Sequence, residues 1–185
     1  RRQRQMCIRD RDMRLFIAIE LPESVRRAVA GTSDALRAFG ARGRFVPAEN
    51  YHVTLRFIGE SNALSDLADA MRDAACDCRP FALHLNGYGA FSGSGGNTGF
   101  VRVAGDKEEL FRLYETLEAA LCDRGFGRGR GRFVPHITLG RNIVGDEGFC
   151  SSPGESFSVR QITLFESRRE RGGVLYVPLH RQPFC

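Results

Sequence analysis

The sequence has no tryptophan, one lysine and no stretch of 18 or more consecutive apolar residues in its 185 residues. Because a membrane-spanning helix needs about 20 apolar residues, the chain is not predicted to span a membrane. Its six cysteines show no CxxC spacing, and Cys76-Asp77-Cys78 is too tight for a typical zinc-binding loop. With no secretory signal visible, we expect reduced thiols in a cytoplasmic protein.

Because lysine is scarce, the positive charge comes from 26 arginines and Lys107. Together with 22 acidic residues they give a net charge of +5. Residues 1–12 carry +3 of this and lack apolar periodicity, so they are predicted to be a tail outside the fold. The rest of the chain, residues 13–185, is predicted to form a single domain. Arginine binds phosphate bidentately, but its enrichment runs through the whole chain, which favours a codon bias over a nucleic-acid-binding patch.

A short pattern occurs twice in the chain. The segments His52-Val53-Thr54-Leu55 and His136-Ile137-Thr138-Leu139 lie 84 residues apart. With four His and six Thr in 185 residues, chance predicts roughly 0.13 His-x-Thr pairs. Because side chains alternate along a strand, each copy presents its histidine and threonine on one face and its aliphatic residues on the other. Two such strands would form a cleft with two acid/base groups and two hydroxyls, suited to proton transfer around an anionic substrate.

Periodicity predicts a mixed α+β chain. Helices are predicted at 22–39, 64–75 and 106–121, and strands at 15–19, 51–58, 81–85, 100–103, the second motif, 162–165 and 174–179. Asp106 and Glu109 are predicted to cap the third helix, and residues 92–99 to connect a hairpin. Since the order of elements roughly repeats and Phe-Val-Pro precedes both motifs, we expect two similar α+β lobes around a shared cleft.

His84, His180 and the loop 124–132 can each be interpreted as structural or as functional. His84 faces away from the core of its strand, and His180 has no threonine two residues later, so both are interpreted as structural. Residues 124–132 (RGFGRGRGR) place four arginines among glycines immediately before the second motif. A solvated, mobile loop and a loop that contacts phosphate through Arg128 and Arg130 are both open.

The contexts NYHVTLRFIGE and RFVPHITLGR, with the start MRLFIAIELP, closely resemble the 2H phosphoesterase superfamily. Within it, the chain is similar to the RNA 2′,3′-cyclic phosphodiesterases, also called 2′-5′ RNA ligases, from about Met13 to Leu179. The resemblance implies a bilobal α+β fold, in which two pseudo-repeated lobes of antiparallel sheet with flanking helices surround a central cleft. It also implies hydrolysis of 2′,3′-cyclic phosphate ends to 2′-phosphomonoesters without metal or cofactor, and in the reverse direction 2′-5′ RNA ligation.

By position in this resemblance, His52 matches the proton donor and His136 the proton acceptor, while Thr54 and Thr138 match the hydroxyls that hold phosphate oxygens. Two imidazoles with an unperturbed pKa near 6.5 can hold opposite protonation states at neutral pH. No serine or cysteine is placed as a nucleophile, so we expect direct attack by water. The expected partner is RNA or a nucleotide with a 2′,3′-cyclic phosphate, and the expected state is a monomer.

Three alternatives accompany this interpretation. A metal site built on His52 and His136 is disfavoured because neither motif supplies a carboxylate or cysteine ligand. A non-catalytic RNA-binding module would leave the paired motifs without an explanation. A 2H phosphoesterase that acts on a different cyclic or 2′-5′-linked nucleotide fits the sequence equally well.

Overall fold

The computed structural model describes residues 12–185, so the predicted tail lies outside the described residues except for Asp12. The elements follow one another as β1 (Met13–Glu20), α1 (Glu23–Ala38), β2 (Arg42–Phe45), a short 3-10 helix (Ala48–Asn50), β3 (His52–Ser61), α2 (Leu64–Cys76), β4 (Phe81–Phe91), β5 (Asn97–Gly105), α3 (Lys107–Asp123), β6 (His136–Val144), β7 (Ser156–Val159), β8 (Gln161–Glu170) and β9 (Gly173–Pro183). The predicted helices and strands are confirmed.

The strands form two antiparallel sheets, with the orders β3-β1-β8-β9 and β2-β6-β5-β4-β7. Each sheet contains one motif strand, β3 in the first and β6 in the second. Each motif strand pairs with the corresponding earlier strand of the repeat, β3 with β1 and β6 with β5. The predicted α+β fold with two lobes of antiparallel sheet is confirmed. The lobes are interleaved in sequence, however, because β2 and β4 join the second sheet and the β8-β9 hairpin completes the first.

Strand β1 is buried on both faces, as its continuous apolar run predicts. Leu15, Ile17 and Ile19 pack into a large apolar cluster that also contains Ile137 and Leu139 of β6. Phe16 and Ala18 point to the other face of the sheet, where they pack against Phe165 of β8. The aliphatic residues of both motifs are thus core anchors that hold the histidines in place.

The helices cover the core with their apolar faces. Val25, Val29 and Leu36 of α1 are buried, and α2 and α3 pack against each other through residues such as Met71 and Leu117. Asp106 occupies the N-cap position of α3, as predicted, but its side chain makes no capping hydrogen bond within the helix. Its Oδ2 instead accepts a hydrogen bond from the Ala82 backbone N–H at 2.8 Å, which ties α3 to β4.

Two short strands, β2 and β7, were not predicted from the sequence. The sequence of β2, RGRF, is too polar to show apolar alternation, and that of β7, SFSV, alternates over only four residues. Residues 92–96 connect β4 and β5 as a hairpin, as predicted, while residues 97–99 of the predicted connection belong to β5. Among residues 12–185, no helix is both long enough and apolar enough to cross a membrane. The five cysteines in this part of the chain are free thiols.

Candidate active site

The two motif strands lie beside each other where the two sheets meet. A small central cavity of about 40 Å³ lies between them and contains three of the predicted site residues, His52, Thr54 and Thr138. Arg141 and Tyr176 also line this cavity. The structure therefore brings an imidazole, two hydroxyls and a guanidinium to one small space, and these groups can donate hydrogen bonds to an anion at its mouth.

A larger cavity of about 680 Å³ adjoins the first and shares Thr54 with it. His136 lines this second cavity, together with Arg128 and Arg130 of the loop 124–132. All six predicted site residues thus line two cavities that meet at Thr54. His84 and His180 line neither cavity, in agreement with their structural interpretation.

The two histidines are held in the same way by backbone carbonyls. Nδ1 of His52 lies 2.7 Å from the carbonyl oxygen of Asn50, and Nδ1 of His136 lies 2.6 Å from that of Val134. Since a carbonyl only accepts, each Nδ1 carries a proton and donates it. The exchangeable position of each ring is therefore Nε2, which leaves the two Nε2 atoms as acid/base sites.

His52 is packed among aromatic rings in the first sheet. Its ring centroid lies 4.9 Å from that of Phe16 and 5.2 Å from that of Tyr176. The hydroxyl of Thr54 lies 2.9 Å from His52 Nε2 and donates to it while the ring is neutral. Burial, with a smaller contribution from the charge of nearby His136, lowers the pKa of His52 to about 4, although the hydrogen bond to the Asn50 carbonyl acts in the opposite direction.

His136 occupies a similar aromatic setting in the second sheet. Its ring centroid lies 5.2 Å from those of Phe91 and Phe100. Burial lowers the pKa of His136, and the Arg141 guanidinium lowers it as well. The expectation of two unperturbed imidazoles is therefore wrong, because both rings lie in apolar surroundings that disfavour the imidazolium form. Both are neutral at pH 7 in the free protein.

A β-bulge directly follows the threonine of each motif. In β3, Leu55 is the extra residue between Thr54, opposite Ala18, and Arg56, opposite Ile17. In β6, Leu139 is the extra residue between Thr138, opposite Phe100, and Gly140, opposite Gly99. A bulge reverses the alternation that follows it, so the residue five positions after each histidine faces the cleft.

These equivalent positions hold Phe57 and Arg141, and both line the central cavity. Uninterrupted alternation would place them on the opposite face from the histidines, which is why the sequence alone did not identify them. Tyr176 was missed for another reason, since it comes from β9 and only sheet pairing brings it to the site. Arg141 adds a fixed positive charge that can bind phosphate oxygens bidentately.

Within residues 12–185, no group of three or more His, Cys, Asp or Glu side chains is arranged to hold a metal ion. The donor set of the cleft consists instead of imidazole, hydroxyl and guanidinium groups, which bind anions. Two imidazoles with lowered pKa on neighbouring strands of the two sheets, with Arg141 nearby, are the arrangement expected of a two-histidine phosphoesterase on a bilobal α+β fold.

Comparison with known proteins agrees with this assignment. The family model of the 2′-5′ RNA ligase superfamily matches residues 22–148. An RNA 2′,3′-cyclic phosphodiesterase of Thermotoga maritima is 32% identical over 183 residues, which cover 93% of this chain and 96% of that protein. The chain therefore belongs to the 2′-5′ RNA ligase superfamily.

A second relative and a solved structure extend the comparison. An RNA 2′,3′-cyclic phosphodiesterase of Geobacillus stearothermophilus is 31% identical over 166 residues, which cover 84% of this chain but 52% of that longer protein. The chain thus spans about half the length of that relative. The crystal structure of Escherichia coli LigT in apo form superposes with a TM-score of 0.77 at 28% identity, covering 95% of this chain and 99% of LigT.

Proposed function

We propose that this protein is an RNA 2′,3′-cyclic phosphodiesterase that opens cyclic phosphate ends to 2′-phosphomonoesters by acid/base catalysis with His52 and His136. The observation that supports this proposal is that two His-x-Thr strands, each with its histidine fixed through Nδ1, meet at one small cavity that Arg141 also lines. The names of the relatives supply the substrate class. The 2′ position of the product phosphate rests on the family resemblance.

The reaction needs one base and one acid. Nε2 of His136 removes a proton from a water molecule, whose oxygen forms a new bond to phosphorus. The bond between phosphorus and the ribose 3′ oxygen breaks, and Nε2 of His52 protonates that oxygen. A 5′-hydroxyl in place of water would give a 2′-5′ linkage by the same steps. Each general acid or base contributes ~10²–10⁴-fold to such a step.

The lowered pKa values place a condition on this mechanism. In the free protein, a His52 pKa of about 4 leaves roughly one ring in a thousand protonated at pH 7. A bound phosphodiester carries a negative charge next to the ring, which favours the imidazolium and raises its pKa. Substrate binding thus supplies the electrostatic reason for His52 to take up the proton that it later donates.

Charge that grows on the phosphate oxygens is stabilised by three side chains of the central cavity. The hydroxyls of Thr54 and Thr138 can donate to these oxygens, and Arg141 adds a charge-assisted donor. In the free protein the Thr54 hydroxyl is bonded to His52 Nε2. Protonation of His52 removes this acceptor, so the hydroxyl becomes free to donate to the phosphate.

The test is to incubate the purified protein with the four nucleoside 2′,3′-cyclic phosphates and identify the products by phosphorus NMR. We expect a single 2′-phosphomonoester from each active substrate, with His136→Ala as the inactive control. Absence of turnover with all four would refute the proposed function. A 3′-phosphate product would place His52 beside the 2′ oxygen of the ribose.

Arg128 and Arg130 extend the proposed site toward longer RNA, because both line the larger cavity beside His136. Replacing both with alanine should weaken binding of an oligonucleotide and reduce the salt dependence of its affinity. Arg27→Ala with Arg72→Ala, on the outer faces of α1 and α2, removes the same charge as a control. An unchanged salt dependence would assign the loop no role in binding RNA. A monomeric state and a cytoplasmic location stay predictions from the sequence.

A further inference from the structure

A buried ion pair between Arg56 of β3 and Glu118 of α3 holds the loop 124–132 in place. Nη1 of Arg56 lies 2.7 Å and 2.6 Å from the two carboxylate oxygens of Glu118 on α3. The two residues are 8% and 1% exposed, so the pair is shielded from solvent. The bulge at Leu55 is the reason that Arg56 turns away from the cleft and points toward α3.

Both members of the pair also bind the backbone of the loop. Nη2 of Arg56 donates to the carbonyl oxygen of Gly127 at 2.8 Å. Oε2 of Glu118 accepts from the backbone N–H of Gly129 at 2.7 Å. A Cβ atom at position 129 would lie 2.6 Å from Nη1 of Arg56, so any larger residue here would displace the ion pair. The loop is therefore bonded to β3 and α3 at residues 127 and 129, which favours a positioned loop over a mobile one.

The anchored glycines alternate with the arginines of the loop. Arg128 and Arg130 are exposed and, with Arg132, line the larger cavity, whose walls contain no acidic residue. Aromatic side chains from β3, α3 and the loop lie among these arginines: Phe57, Tyr114, Phe126 and Phe133. Phe57 is 64% exposed, which is high for a phenylalanine and leaves its ring available for stacking.

The cleft is asymmetric in charge. The cavity on the other side of Phe57, beside β1 and β8, has a volume of about 830 Å³ and contains four arginines but also four acidic residues. A polyanionic strand is attracted to the side with arginines alone and finds mixed charge on the other side. Arginines interleaved with aromatic rings are the usual lining of a single-stranded nucleic acid groove.

We propose that Arg56 and Glu118 are positioning residues that hold the loop 124–132 as a preformed wall for the RNA strand upstream of the cyclic phosphate. The preferred substrate is then an oligonucleotide end rather than a mononucleotide. This inference rests on the proposed function. Arg56 borders the larger cavity but is 8% exposed, and the side chains of both residues are bonded to the loop backbone, so the inference assigns the ion pair a role through the loop rather than through contact with substrate.

The test compares Glu118→Gln with Glu115→Gln. Glu115 lies one turn earlier on α3, is exposed, and pairs with Arg128 at 2.5 Å. Both substitutions remove one negative charge near the loop, so electrostatics alone would tighten RNA binding in both. In Glu118→Gln, however, the new amide group would turn its donors toward Arg56 or Gly129 and so disturb the anchor.

The probe is an oligonucleotide that ends in a 2′-phosphate, with 2′-AMP as the mononucleotide reference, and the readout is the ratio of the two Kd values. We expect Glu118→Gln to weaken oligonucleotide binding relative to 2′-AMP by about tenfold and to lower the salt slope by about one. Glu115→Gln should leave this ratio unchanged or shift it toward tighter oligonucleotide binding. Equal effects of the two variants, or a wild-type ratio in Glu118→Gln, would overturn the proposal.

Two further variants decide the matter if Glu118→Gln does not fold. Arg56→Leu with Glu118→Leu removes both charges together, which proteins tolerate better than the loss of one partner. Gly129→Ala disturbs the anchor without removing a charge, and Gly154→Ala, in open space, is its control. Either anchor variant should reproduce the shift in the ratio, and wild-type ratios in both would refute the positioning role. Turnover of cyclic mononucleotides by the wild type tests the proposed function separately.

Discussion

The Nδ1 atom of His136 lies 2.6 Å from the carbonyl oxygen of Val134, two residues earlier, and His52 stands in the same relation to Asn50 at 2.7 Å. This shared geometry fixes the tautomer of both rings and directs each Nε2 away from the backbone. Both copies of the repeat thus present the same nitrogen atom, as the proposed acid/base pair requires.

The first prediction concerns that pair. His52→Ala and His136→Ala should each lower kcat by at least ~10²-fold, because each removes a general acid or base. The pH profile of the wild type should be a bell whose limbs report the pair. His136→Ala should erase the acidic limb, where the base must lose its proton, and His52→Ala should erase the basic limb, where the acid must keep its proton. The opposite result would mean that His52 is the base and His136 the acid. Near-normal turnover in either variant would rule out the two-histidine mechanism.

Both rings pack against aromatic neighbours, so each alanine variant also needs a stability measurement. His52 contacts Phe16 and Tyr176, and His136 contacts Phe91 and Phe100. Thermal unfolding followed by circular dichroism distinguishes a folded, inactive variant from an unfolded one. A loss of activity counts for the mechanism only where the variant is folded at the assay temperature.

The second prediction follows from the lowered pKa values. Anion binding raises the pKa of His52 from about 4, so binding of a non-hydrolysable phosphodiester should take up a fraction of a proton per site at pH 7 and more at pH 6. Titration calorimetry in buffers of different ionisation enthalpy measures this number. His52→Ala should reduce it. Binding without proton uptake would mean that the cleft does not charge its histidines.

The third prediction concerns the motif hydroxyls. Thr54→Val and Thr138→Val keep the shape of each side chain but remove a donor worth ~0.5–1.5 kcal/mol, or more in a dry site. Each should therefore lower kcat/KM by less than loss of a histidine does. Thr116→Val on the exposed face of α3 serves as the matched control. Losses as large as those of the histidine variants would give the hydroxyls a role beyond hydrogen bonding.

The fourth prediction addresses Arg141, which the sequence pattern did not identify. Arg141→Lys keeps the charge but loses the planar fork, so kcat/KM should fall about 10–10²-fold. Arg112→Lys, an exposed arginine of α3 paired with Glu109, is the control. Steady-state kinetics with one cyclic nucleotide gives both values. Equal kinetics for Arg141→Lys and wild type would show that its guanidinium does not hold the phosphate.

The fifth prediction concerns metal removal. The residues that line the central cavity supply imidazole, hydroxyl and guanidinium groups. Within residues 12–185 they do not form a ligand set for a cation. Turnover should therefore survive dialysis against EDTA, with the rate within about twofold of the untreated enzyme, since no step of the acid/base mechanism needs a metal. A loss that a divalent ion restores would contradict the mechanism in which only protein side chains act.

Much of the site was predictable because its signal is local. The doubled His-x-Thr pattern identifies four site residues, and the alternation of a strand places each histidine and threonine on one face. The same alternation identifies Val53 and Ile137 as core anchors, and both are fully buried. Helical periodicity likewise located α1, α2 and α3, since a stripe of apolar residues is visible in the sequence.

Only the tertiary structure decided what depends on residues far apart in the chain. A bulge after each threonine arises from pairing with another strand, and it alone turns Arg141 and Phe57 into the cleft. The pKa of His52 depends on burial among rings from β1, β8 and β9. The Arg56–Glu118 pair joins residues 62 positions apart. No periodicity within a short stretch encodes such contacts, because they exist only once the sheets and helices have packed together.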